Sequence, residues 1–66
     1  MTLYFFKYPT SIGHKLNQKP AYTAEQIVDN AAKHILGTWN KVDALTYKQK
    51  IELLKEYDYK IKKVII

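Results

Sequence analysis

Few residues in this chain could perform chemistry, and the two histidines are the first candidates. His14 and His34 could form a metal-binding or acid–base pair together with Asp29 or Glu25. Their spacing does not match the H-x₃₋₅-H pattern of zinc sites, so we interpret both as polar surface residues. The chain has no cysteine and only two glycines, which excludes thiolate chemistry and a glycine-rich phosphate loop. We therefore predict no enzyme activity, no metal site and no cofactor.

Aromatic side chains near the N-terminus are better candidates for a contact surface. Tyr4, Phe5, Phe6 and Tyr8 fall within five positions, with Lys7 among them. On a strand, Tyr4, Phe6 and Tyr8 would share one face, and Phe5 and Lys7 would lie on the other. One face cannot bury every apolar residue of this run, so some rings must stay exposed or meet a partner. We expect Tyr4 and Phe6 to pack inward, and Phe5 and Tyr8 to make contacts.

The charge of the chain indicates the chemistry of its partners. The formal net charge is +5, and all 11 basic residues are lysine. Residues 1–22 and 47–66 each carry +3, whereas residues 23–46 carry −1. An excess of positive charge favours an acidic partner, which can be nucleic acid, an anionic membrane surface or an acidic protein. The absence of arginine disfavours a protein that reads DNA bases, because arginine is the usual bidentate partner of guanine.

Two capped helices are predicted to position these residues. Thr23 and Thr46 are good N-cap residues, and each is followed three positions later by a glutamine, which is a capping-box pattern. The apolar residues that follow recur at helical spacing. We predict helices at about 24–36 and about 47–63, packed as an antiparallel pair or helical hairpin.

The remaining segments complete a mainly α fold. Residues 2–8 are predicted to form an aromatic strand or extended segment laid across the helix pair, residues 9–22 a loop, and residues 38–45 a connector. The chain is short enough to be one small single domain, 1–66.

The last residues allow an alternative fold. Residues 61–66 could form a second strand that pairs with 2–8, and the domain would then be α+β. No glycine or proline between Tyr57 and Ile61 would end the second helix. We therefore predict the mainly α fold and keep the second strand as the alternative.

These features predict an interaction protein. The chain has six tyrosines, one tryptophan and two phenylalanines, more than so small a core can hide, and such residues are enriched at interfaces. We predict a non-enzymatic protein that binds and inhibits, or otherwise modulates, a larger host or assembly protein, as small phage and mobile-element proteins do. The alternative is a small basic nucleic-acid-binding protein, electrostatic and weakly sequence-specific, that assists transcription or replication. The predicted partner-binding residues are aromatic or basic: Tyr4, Phe5, Lys7, Tyr8, Lys15, Trp39 and Lys41.

Two further expectations concern location and self-association. The sequence has no run of about 18 apolar residues and no signal-peptide pattern at its N-terminus, so we expect a cytoplasmic protein without a membrane partner. An unpaired strand at 2–8 would be a template for another strand. We therefore expect that the chain could form a homodimer through that strand.

Overall fold

The aromatic N-terminal segment forms the central strand of a three-stranded antiparallel sheet. In a computed structural model that describes all residues, Met1–Ile66, the sheet order is β2-β1-β3. The elements in chain order are β1 (Thr2–Thr10), β2 (Gly13–Leu16), α1 (Ala24–Leu36), α2 (Trp39–Asp43), α3 (Tyr47–Glu56) and β3 (Lys60–Ile65). The predicted mainly α fold is therefore wrong, and the chain is a small α+β domain.

The strand β1 has neighbours on both sides. It pairs with β2 from Lys7↔Leu16 to Thr10↔Gly13, and with β3 from Thr2↔Ile65 to Lys7↔Lys60. Backbone bonds between Tyr4 and Ala21, 2.8 and 2.9 Å long, continue the β2 side towards the N-terminus. The unpaired strand on which the expected homodimer rested is thus absent from this fold.

A tight hairpin occupies part of the segment that the sequence predicts to be a loop, residues 9–22. Gly13 has φ +135°, a conformation that glycine adopts without steric cost, and it follows a two-residue connection from Thr10. Pro9 does not end β1, because the ladder with β3 stops at Lys7. The missing N–H of Pro9 therefore costs no hydrogen bond on that side.

The helices follow their capping signals at the N-termini. Thr23 Oγ1 accepts a hydrogen bond from the backbone N–H of Gln26 at 3.1 Å, and α1 has the bounds that the sequence predicts. Thr46 and Gln49 form a reciprocal capping box at the start of α3. The predicted connector contains the short helix α2, which Thr38 caps.

The second predicted helix, 47–63, is too long by about two turns, because α3 ends at Glu56. The chain reverses at Asp58, whose φ of 60° is left-handed. Aspartate tolerates this conformation better than most residues other than glycine. The N–H of Tyr59 then donates to the carbonyl of Leu54 at 2.8 Å, which closes the turn. The last residues form β3 beside β1, as in the alternative fold.

The core is thin and lies between one face of the sheet and the helices. Its eight buried residues come from β1, the segment between β2 and α1, and all three helices: Phe6, Ala21, Ile27, Val28, Ala31, Ala32, Val42 and Leu54. The adjacent alanines Ala31 and Ala32 allow close approach to α1. An ion pair between Lys50 Nζ and Asp29 Oδ1, 2.7 Å long and partly buried, joins α3 to α1.

Candidate functional site

The sheet has one face that no helix of the chain covers. Residues paired across antiparallel strands point to the same side, so the register places Phe5 beside Lys62, Lys7 beside Lys60, and Leu3 beside Val64. Leu16 joins them as the partner of Lys7 on β2. We call this surface the open face, and it consists of Leu3, Phe5, Lys7, Leu16, Lys60, Lys62 and Val64.

The core lies entirely on the other side of the sheet. Phe6 is 3% exposed, and Tyr4, Tyr8 and Tyr59 pack against the buried residues. Leu3, Phe5, Leu16 and Val64 are partly exposed, and none of them contacts the core cluster. The open face therefore presents four apolar side chains that only their sheet neighbours shield.

Charge is divided sharply between the two layers of the fold. The three strands contain five lysines and no acidic residue, whereas the helices contain five lysines and five carboxylates. Lys19 and Asp58 lie in connecting segments and cancel, so the strands carry the whole formal charge of +5. Three of the five strand lysines belong to the open face, which makes that surface both apolar and cationic.

The predicted partner-binding residues do not form one surface. Phe5 and Lys7 lie on the open face, as the alternation along the strand indicates. Tyr4 and Tyr8 pack towards the core instead, and Lys15, the partner of Tyr8, also lies on that side of the sheet.

The other two predicted residues belong to α2. Trp39 begins that helix and is 47% exposed, and Lys41 lies two residues later and is also exposed. Both are therefore separated from the open face by the sheet and the core.

Sequence reasoning missed most of the open face. Leu16, Lys60, Lys62 and Val64 join Phe5 only because β2 and β3 pair with β1. The signal available for β3 was the alternation Lys60, Ile61, Lys62 near the C-terminus, which fits a strand with one charged face. The segment of β2 has no comparable signal, because Gly-His-Lys-Leu contains no β-branched or aromatic residue.

The histidines do not form the pair that would suggest catalysis. His14 Nε2 lies 3.0 Å from Asp58 Oδ2 and 3.1 Å from the carbonyl oxygen of Asp58. The carboxylate of Asp29, a suggested partner, is engaged by Lys50 instead. No group of three or more histidine, cysteine, aspartate or glutamate residues is arranged to hold a metal ion.

His34 belongs to a cluster of rings on the helix side of the sheet. Its Nδ1 lies 2.6 Å from Tyr59 Oη, and its ring centroid lies 5.3 Å from Phe6 and 5.0 Å from Tyr8. Burial raises the pKa of Tyr59, and the nearby Tyr8 raises it further. The hydroxyl of Tyr59 and Nδ1 of His34 thus share one hydrogen bond beside Phe6 and Tyr8.

The comparisons with known proteins do not add to this description. No family model, no curated protein and no solved structure matches the chain. Among the helices of the fold, none combines the length and the apolar composition that a membrane crossing requires.

Proposed function

We propose that this chain is a non-enzymatic binding protein that docks its open face on an apolar and acidic surface of a larger protein, and so modulates it. The observation that carries the proposal is the composition of that face, where four apolar side chains lie among three lysines, and the carboxylate of Asp58 at one end is engaged by His14. Inhibition is the simplest form of modulation, because a docked domain blocks the surface that it covers. A cytoplasmic site of action is part of the same proposal.

The apolar part of the face supports a protein partner. Leu3, Leu16 and Val64 are aliphatic, and they gain free energy when another apolar surface removes them from water. Phe5 lies in their middle, in the central strand, where interface hot spots concentrate. Stacking of nucleic-acid bases needs aromatic rings, and Phe5 is the one ring on this face.

The charge of the face supports a partner that is not a second copy. Two open faces brought together would place six lysines in one interface, and like charges in contact destabilise an interface. An acidic partner would reverse the sign of that contribution and also speed association. The partner is therefore defined by chemistry, as a protein with an apolar surface patch surrounded by aspartate and glutamate.

The experiment that tests this function places the photo-crosslinking residue p-benzoylphenylalanine at Phe5. The control carries it at Tyr47, which is 47% exposed at the start of α3. Each form is irradiated in a lysate of the source cells, with and without nuclease, and the adducts are identified by mass spectrometry. We expect one protein to be crosslinked from position 5 and not from position 47, and to survive nuclease treatment.

Charge-reversal variants make the result specific to the open face. Lys62→Glu should reduce the crosslinking yield at least tenfold, whereas Lys48→Glu, the same change on exposed α3, should not. Equal adducts from both crosslinker positions, or an adduct unaffected by Lys62→Glu, would contradict the proposal. The purified target should bear acidic residues at the crosslinked surface.

Nucleic-acid binding is the second candidate, and the division of charge favours it. The strands carry five lysines without an acid, and the three on the open face form the kind of positive surface that binds phosphate groups. The crosslinking experiment separates the two functions, because an adduct that nuclease removes belongs to this one. Such binding would also weaken steeply between about 50 and 200 mM salt, whereas contact through apolar burial would weaken much less.

A further inference from the structure

A concavity on the helix side of the sheet has a chemistry that the proposed function does not use. It encloses about 230 Å³ and lies where α1, α2 and the segment after β2 meet. Five of its lining residues are polar or basic, namely Asn17, Lys19, Asn30, Lys33 and His34, and the other two are Phe6 and Trp39. The sheet and the core separate it from the open face.

The concavity is built to attract an anion. No carboxylate lines it, and the ammonium groups of Lys19 and Lys33 form no ion pair within the chain. The nearest acid along the same helix face, Asp29, is one turn from Lys33 but is engaged by Lys50 at 2.7 Å. Two lysines in the lining of a site without an acid favour a charged oxygen ligand such as phosphate.

Neutral donors and a held histidine complete the polar side. Asn30, Lys33 and His34 stand at helical positions i, i+3 and i+4, so they share one face of α1. The side chain of Asn30 forms no hydrogen bond within the chain. Because Nδ1 of His34 is engaged by Tyr59, Nε2 is the ring nitrogen that remains available to a ligand.

An aromatic wall faces these groups. Trp39 is 47% exposed although it lines the concavity, so its indole offers a free surface for a flat ring. Thr38 fixes the start of α2, with its hydroxyl accepting from the N–H of Lys41 at 3.4 Å. The volume of about 230 Å³ lies below the range of about 300–1,000 Å³ that holds drug-sized ligands, so a ligand larger than a mononucleotide would extend beyond the concavity.

We propose that this concavity binds a small phosphorylated ring compound of mononucleotide size. The phosphate would lie between Lys19 and Lys33, and the planar ring would lie against Trp39. The ligand would contact neither the open face nor the strand lysines. The two sites can therefore be tested independently, and failure of either leaves the other in place.

Trp39 is the only tryptophan of the chain, so its fluorescence reports directly on the concavity. The test titrates the purified protein at low salt with adenosine monophosphate, adenosine and ribose 5-phosphate, with excitation at the red edge of indole absorption. We expect saturable quenching by adenosine monophosphate and affinity at least tenfold lower for adenosine. Ribose 5-phosphate should compete with the nucleotide but quench weakly, because it lacks the ring.

Variants locate the site. Lys33→Ala and Lys19→Ala should each weaken the nucleotide about tenfold or more, since each removes a charge-assisted contact. Lys41→Ala is the matched control, because Lys41 lies two residues from Trp39 but outside the lining. Far-ultraviolet circular dichroism checks that each variant is folded. If Lys33→Ala unfolds α1, Lys19→Ala still tests the site, because Lys19 lies in a connecting segment.

Three results would overturn the proposal. They are no saturation at millimolar nucleotide, equal affinity for nucleotide and nucleoside, and an effect of Lys41→Ala equal to that of both lining variants. Backbone amide shifts in nuclear magnetic resonance spectra should also cluster at Asn30, Lys33 and Trp39 on titration. Shifts confined to the strands would assign the binding to the basic sheet instead.

Discussion

Two adjacent phenylalanines should differ greatly in their effect on stability, because the sheet separates them. Phe6 is 3% exposed at the centre of the core, and replacing a buried phenylalanine with alanine costs about 3–5 kcal/mol. A domain of this length has a total stability of only about 3–10 kcal/mol. Phe6→Ala should therefore leave the chain largely unfolded, or lower its melting temperature by about 15 °C or more.

Phe5→Ala should cost much less. The ring of Phe5 is partly exposed and makes no contact with the core cluster, so only part of its transfer free energy is lost, about 1 kcal/mol. At this chain length that corresponds to a fall of about 4–8 °C in melting temperature. The assay is urea unfolding followed by circular dichroism and by the fluorescence of Trp39, and Leu3→Ala is a second variant on the open face.

A particular result would refute this reasoning. If Phe5→Ala costs as much as Phe6→Ala, both rings are buried and the open face is not open. The proposed docking function would then lose its basis, whatever the crosslinking experiment captured. If Phe6→Ala is the milder of the two variants, the faces of β1 are reversed.

Four further predictions concern the helices, the turn and the free edge of the sheet. Thr46→Ala removes the capping box of α3 and should cost about 1 kcal/mol in urea unfolding; an effect near zero would show that the cap adds nothing. Asp29→Asn leaves the partly buried Lys50 without its partner and should lower the free energy of unfolding by about 1–2 kcal/mol. Adding Lys50→Met to this variant should restore part of that stability, which a double-mutant cycle measures. Burial, and to a lesser extent the nearby Tyr8, raises the pKa of Tyr59, so the folded state holds that proton more tightly than the unfolded state does. The resulting stabilisation is complete below about pH 10 and is lost as the pH rises through the pKa of Tyr59 in the folded state. Tyr59→Phe should therefore reduce the loss of stability between pH 9 and 11, measured as urea midpoints of both forms, and an unchanged loss would contradict that origin. The chain should sediment as a monomer at low salt, and a dimer there would contradict the role of the edge lysines discussed below.

The elements that sequence could predict are those with local signals. The bounds of α1 follow from Thr23 at one end and Gly37 at the other, and both residues act through neighbours within one turn. The end of α3 could not be found in this way. Apolar residues continue at helical spacing beyond Glu56, and the break occurs at Asp58, which is a weaker stop signal than glycine.

The open face depends on the pairing of β1 with β2 and β3, which neighbouring residues in the sequence do not predict. Alternation along β1 correctly separates Phe6 from Phe5, since that requires only the period of a strand. It cannot place Lys62 beside Phe5, because the two are joined by a register that links the two ends of the chain. The choice of Tyr8 as a contact residue shows the same limit, since the rings that lie against it, His34 on α1 and Tyr59 just before β3, are far from it in the sequence.

The lysines of the edge strand β3 are expected to disfavour its pairing with a second copy of the chain. In this fold β3 pairs on one side only, and Ile65 is 75% exposed. Two copies can pair through their β3 strands about a two-fold axis perpendicular to the sheet. The residue on that axis then lies opposite the same residue of the other copy. In the registers that use most of β3, that residue is Lys62 or Lys63. Like charges directly opposite destabilise paired strands, and edge lysines are a common protection against such pairing. A partner with carboxylates would gain from the same lysines, so the residues that we expect to oppose self-association would also favour the acidic partner that we propose.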